Sequence, residues 1–197
     1  VNQPKKSALL LPFNLNKVQN DTVNSVADRL KKDKFLNMTL DFYSGALMAI
    51  DSAKQLGITV DVSVFDSEET KNSSNVAKLI ADNHLENFSA VIGPFYQTNV
   101  EKTAELLSAN QVAVISPLSK EMGKSYPNLF QTITSTSVLR SAIFDFMRSK
   151  NGNVIAVVDK KKVSVKKYIV DNQKDVRLVS LTEIGALIPE SLSSKLQ

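Results

Sequence analysis

Residues 90–117, AVIGPFYQTNVEKTAELLSANQVAVISP, decide the fold. Ala90–Ile92 is a short aliphatic run closed by Gly93-Pro94, and Val112–Ile115 is a second one closed by Ser116-Pro117. Between them Val100, Ala104 and Leu107 recur at helical spacing, so Asn99–Asn110 reads as a helix with one apolar face. A strand, a helix and a second strand of this length form a crossover between parallel neighbours.

The same unit repeats outward. Ala8–Phe13 (ALLLPF) reads as a strand buried on both faces, and Leu40–Leu56 as a helix with Phe42, Ala46, Ala49, Ile50 and Ala53 on one side, stopped by Gly57. Val60–Phe65 is the next strand, and Ser74–Asn83 a helix carrying Val76, Leu79 and Ile80. These steps predict a Rossmann-like, doubly wound parallel sheet with strand order 2-1-3-4 and the 8–13 strand central.

After the polar stretch 120–128 the pattern restarts. Leu129–Ile133 is a candidate strand, Ser135 or Thr136 caps a helix through Arg148 with Val138, Leu139, Ala142, Ile143 and Phe146 inward, and Val154–Val158 is an apolar strand. Val163–Asp171, Val176–Leu181 and Pro189–Leu196 continue as helix, strand and helix. The reading therefore divides the chain into an α/β lobe over 1–128 and the start of a second α/β lobe over 129–197. Two clear core strands are few for an independent sheet, so the second lobe is expected to be incomplete.

About 25 residues, 14–39, separate the first strand from its helix, where two to six are usual. Asp21 or Thr22 can cap a short helix within TVNSVADRLKK. Placed after a parallel strand, the insertion belongs at the rim where open α/β sheets bind ligands, as a lid or as a packed decoration.

Composition narrows the chemistry. The chain has 197 residues, 43% hydrophobic and 22% charged, with no Cys and a single His, His84. Thiol nucleophiles, zinc fingers and iron–sulfur ligation are excluded, and no G-x-G-x-x-G, Walker loop or G-x-S-x-G elbow occurs. The reading assigns no catalytic residue, no metal and no cofactor. Net charge is +4, and residues 150–177 hold eight basic residues against three acidic ones. Only Tyr168 interrupts that run, which reads as a solvated face rather than a nucleic-acid grip. No apolar run approaches the ~20 residues that span a bilayer.

Candidate binding residues stand at the ends of the strands. Gln97 and Thr98 follow Gly93-Pro94 at a helix N-terminus, where backbone N–H groups and side chains can donate to a carboxylate or hydroxyl. Ser116, Ser119 and Lys120 occupy the equivalent place after the next strand. Asp66 ends the second strand, either reaching the crevice or capping its own loop.

The order Tyr43-Ser44-Gly45-Ala46, Ala49-Ile50, Gly57, Val62–Asp66, Val91-Ile92-Gly93-Pro94, Val114-Ile115-Ser116-Pro117 and Phe130-Gln131-Thr132 resembles the type I periplasmic binding proteins of the branched-chain amino acid class, over about residues 7–160. The resemblance implies two Rossmann-like lobes closing on a small ligand without catalysis, and export to the bacterial periplasm or cell envelope. It also implies ligand contacts at Gln97, Thr98, Ser119 and Lys120. The insertion, the bulky Phe95-Tyr96 pair and Leu118-Ser119-Lys120 depart from the amino-acid binders. In carrying the insertion, the chain resembles envelope domains attached to LysM repeats and, in fold, the lipoprotein activators of peptidoglycan synthases. The partner expected from this resemblance is an amino acid, peptide or cell-wall fragment in an interlobe cleft. The alternative is an envelope protein that docks on a degenerate cleft, associated with peptidoglycan.

Overall fold

The computed structural model describes residues 5–150 and 152–196. The chain forms two compact units, one ending at Thr136 and one beginning at Ser137.

In the first unit β1 (Lys5–Leu11), β2 (Val60–Asp66), β3 (Ala90–Ile92), β4 (Ala113–Ser116) and β5 (Leu129–Gln131) make one sheet in the order β2-β1-β3-β4-β5. Every pairing is parallel, with Leu9 opposite Val64 on one side and Ile92 on the other. The expected order 2-1-3-4 with β1 inside is therefore present, extended by one strand. Leu129–Gln131, expected to open the second lobe, instead pairs with β4 through Ile115 opposite Phe130. The division of the chain consequently falls after 136, not at 128.

β1 is apolar throughout its C-terminal half because helices cover both of its faces. Ala8 and Leu10 point with Val91 and Val114 toward α4 (Val76–Asn83) and α5 (Gln97–Leu107), packing on Val76, Ile80, Val100, Ala104 and Leu107. Leu9 and Leu11 point the other way, toward Phe42, Tyr43 and Ala46 of α3 (Lys34–Gln55). α3 starts six residues earlier than its apolar periodicity suggests because Asp33 caps it, accepting from the Phe35 and Leu36 N–H groups at 3.1 and 3.0 Å. It ends as expected at Gly57, whose φ of +75° lets the Gly57 and Ile58 N–H groups reach the Lys54 and Ala53 carbonyls.

The insertion folds into α1 (Leu15–Gln19) and α2 (Val26–Lys32). Ser25, not Asp21 or Thr22, caps α2, with the Asp28 N–H donating to its Oγ at 3.1 Å. Asp21 makes a turn of its own, accepting from the Val23 and Asn24 N–H groups. Those N–H groups, Asn24 first, hold the Asp21 carboxyl down at about 2.

The second unit holds α6 (Thr136–Arg148, whose first residue belongs to the first unit), the parallel pair β6 (Ile155–Ala156) and β7 (Arg177–Leu178), α7 (Val163–Asn172) and α8 (Pro189–Leu196). α6 turns Arg140, Ser141 and Phe144 toward Tyr168 of α7, and Arg148 grips Asp175 through Nε and Nη2 at 2.8 and 2.6 Å. The apolar stripe lies on the opposite side of the helix. Leu139, Ile143 and Phe146, expected inward, are therefore exposed, Phe146 by 64%. A two-residue ladder offers them no surface to cover.

Candidate functional site

In a sheet ordered β2-β1-β3, the chain winds outward in one direction from β1 to β2 and in the other from β3 to β5. The loops after β1 and β3 diverge at that reversal, and their parting leaves a crevice at the C-terminal ends of the strands. A pocket of about 330 Å³ lies there, lined by Pro12–Asn14 after β1, Glu69–Lys71 after β2 and Tyr96 after β3. The insertion supplies a further wall, with Lys17 from α1, Arg29 from α2 and Asp33, Phe35 and Leu36 at the start of α3. The insertion thus sits at the expected edge of the sheet.

Two features set apart in the sequence, the insertion and the Phe95-Tyr96 pair, pack on one another here. Phe35 stacks on Tyr96 with ring centroids 5.3 Å apart and meets Phe95 edge-on at 6.4 Å. Phe95 also meets Phe42 edge-on at 5.2 Å and is buried. The bulky pair anchors the start of α3, and with it the insertion, over the strand ends.

Gly93 sets the direction of the loop that carries them. Its φ is +98°, and a Cβ there would lie 2.2 Å from the Leu10 carbonyl oxygen. The turn after β3 can hug β1 only with a glycine at this position.

Glu69 is the residue that the sequence reading missed. Its side chain is buried, and its carboxylate accepts from the Phe95 N–H at 2.7 Å, the Tyr96 N–H at 3.2 Å and Asn99 Nδ2 at 2.8 Å. Burial raises its pKa above 4.5, against the lowering effect of those donors. The expected anion seat at the start of α5 is therefore occupied by a carboxylate of the chain itself. The only advance signal was an acidic residue in the polar segment 66–75 after β2, which does not by itself single out Glu69 from Glu68.

The six residues expected to bind ligand stand around the rim, and none of them lines this pocket. Asp66 caps its own surroundings, accepting from the N–H groups of Asn14 at 2.9 Å, Leu15 at 2.8 Å and Glu68 at 3.1 Å. Thr98 donates to the Lys71 carbonyl at 2.8 Å. Gln97 is buried and donates to Glu101 at 3.0 Å, leaving its Oε1 without a partner among the described residues. Ser116 is buried at the end of β4 and its Oγ likewise has none. Ser119 accepts from the Glu121 N–H at 3.1 Å, while Lys120 is exposed. No helix follows Ser116-Pro117, so the second expected helix N-terminus is not there. Segment 117–128 instead folds against α5, with Gly123 packed on Gln97 and Glu101, and Gln131 donating to the Ser119 and Glu121 carbonyls.

His84 ends α4 in the left-handed conformation and pairs with Glu86 at 3.1 Å on the surface, away from the pocket lining. Among the described residues there is no group of three His, Asp or Glu that could hold a metal ion, and no helix is long and apolar enough to cross a membrane.

No curated protein matches the chain. A family model described as the receptor family ligand binding region matches residues 44–182, from within α3 to beyond β7 and so over more than half of the chain. That family comprises ligand-binding modules of the type I periplasmic-binding-protein kind, generally non-catalytic and typically extracellular or periplasmic. With its parallel α/β sheet and a pocket at the point where the winding reverses, the chain belongs to the receptor ligand-binding-region family.

Proposed function

We propose that the chain is a non-catalytic binding or sensing module of the bacterial cell envelope, taking a small polar ligand at the C-terminal rim of the first unit's sheet. An amino acid, a short peptide or a cell-wall fragment suits the size of the pocket. The observation that carries this reading is the pocket itself, placed between the loops after β1 and β3 and walled by an insertion that aromatic stacking fixes in position. The residues foreseen at Gln97, Thr98, Ser116, Ser119, Lys120 and Asp66 act in this reading as supports of the rim. Thr98 steadies Lys71, and Asp66 steadies the start of the insertion.

Nuclear magnetic resonance titration of the full chain with amino acids and muropeptides tests the proposal. Shifts concentrated at Asn14, Lys71 and Tyr96 support it. Titrations that leave those residues unmoved while shifting others refute this location.

The exposed stripe Leu139, Ile143 and Phe146 on α6 favours a second reading, an envelope protein-interaction module associated with peptidoglycan through LysM repeats or synthase regulation. Pull-down of a peptidoglycan synthase by the chain, abolished by Ile143→Asp with Phe146→Asp, would select it.

A further inference from the structure

We propose that the rim pocket is an anion site, in which the ammonium groups of Lys17 and Lys71 receive the carboxylate or phosphate of a small ligand. This rests on the reading of that pocket as the ligand site and specifies the chemistry that it selects.

The argument is an account of which charges in the wall are already used. Both acids of the lining are spent on the protein. Glu69 is held by two backbone N–H groups and Asn99, and Asp33 accepts from the first N–H groups of α3 and from Arg29 Nη2 at 3.3 Å. Arg29 is largely spent as well, donating from Nη1 to the Lys17 carbonyl at 2.9 Å and to Asp21 at 3.0 Å. Its Nε is buried and has no partner among the described residues, a donor left over in the same wall.

The two lysines remain. Neither ammonium forms an ion pair among the described residues. Both are carried on tethered backbone, since the Lys17 carbonyl accepts from Arg29 and the Lys71 carbonyl accepts from Thr98 Oγ1 at 2.8 Å. Asp33 is paired with Arg29 and Glu69 is held by neutral donors, so the three cations of the lining, Lys17, Arg29 and Lys71, exceed its two acids, and the two ammonium groups outside any ion pair stand on two sides of the pocket. An anionic ligand meets two ammonium donors that no side chain occupies, whereas a cationic one meets acids whose oxygens already accept from the protein. Because both lysines are solvent-exposed, the attraction is screened by salt.

Calorimetry on the full chain tests this with matched probes: L-aspartate against L-asparagine, N-acetylmuramic acid against N-acetylglucosamine, and inorganic phosphate as competitor. The acid of each pair is expected to bind at least tenfold tighter than its neutral mate. That advantage should vanish in 0.5 M salt (about a 4 Å Debye length) and in Lys17→Gln/Lys71→Gln, whose thermal midpoint stays at the wild-type value. Competition by phosphate assigns the site to anions in general, and binding by the carboxylates alone assigns it to carboxylates; either supports the proposal. Equal binding of acid and neutral mate, or an acid preference that survives in the double variant, overturns it while leaving the pocket a ligand site. Absence of binding by every probe overturns both.

Discussion

The Glu69 carboxylate lies 2.7 Å from the Phe95 backbone nitrogen, joining the loop after β2 to the turn after β3 across 26 positions of sequence. With Tyr96, Asn99 and the Ser67 hydroxyl as its other partners, Glu69 takes the place at the head of α5 that an acidic ligand would otherwise occupy.

Replacing Glu69 by Ala strands the Phe95 and Tyr96 N–H groups, while the Asn99 amide keeps the Thr70 and Ser73 carbonyls as acceptors. Each unsatisfied donor costs about 1–3 kcal/mol, so urea denaturation should register a loss of at least about 2 kcal/mol. Glu69→Gln keeps one acceptor and should lose less. A change in Glu69→Ala below about 0.5 kcal/mol would show that the contact contributes little.

Glu69 and Asp21 make opposite contributions to the pH dependence of stability. Glu69 has a folded pKa raised above 4.5, so the folded chain binds a proton that the unfolded chain has released. Its contribution is full below pH 4.5 and is lost as pH rises through the folded value. Asp21 is held at about 2, so its contribution is full above pH 3.8 and is lost as pH falls through 2. Unfolding curves measured from pH 2 to 8 should show both segments in the wild type, with Glu69→Gln losing the first and Asp21→Asn the second. A Glu69→Gln curve parallel to that of the wild type above pH 4.5 would contradict the assignment.

Gly93→Ala places a methyl group 2.2 Å from the Leu10 carbonyl oxygen at a φ of +98°. Backbone strain of this kind costs roughly 1–3 kcal/mol, and the steric overlap adds to it. The thermal midpoint should fall sharply, and any ligand bound at the rim should weaken in parallel.

Asp66→Ala removes the acceptor for the Asn14, Leu15 and Glu68 N–H groups. The start of the insertion then loses its tie to β2, while the sheet keeps its core. Tryptic cleavage after Lys17 should accelerate several-fold with little change in global unfolding, as followed by mass spectrometry.

Periodicity and punctuation in the chain were enough to read the order of the first four strands of the first unit, but not that Leu129–Gln131 joins them as a fifth. The apolar run at 8–11 requires cover on both faces, Gly57 marks the end of α3, and the aliphatic runs at 90–92 and 112–115 each follow a helix-length spacing. Those are local properties, set by which backbone conformations a residue allows and by which faces must leave water. Polar partnerships are not local. Asp66, Glu68 and Glu69 are similar in sequence, yet one caps the insertion, one bonds Asn16 and one is buried under α5, because tertiary distance alone brings each to its donors. The pocket draws on six separate stretches between residues 12 and 96, so only the folded sheet, reversing its winding at β1 and β3, brings them to one rim.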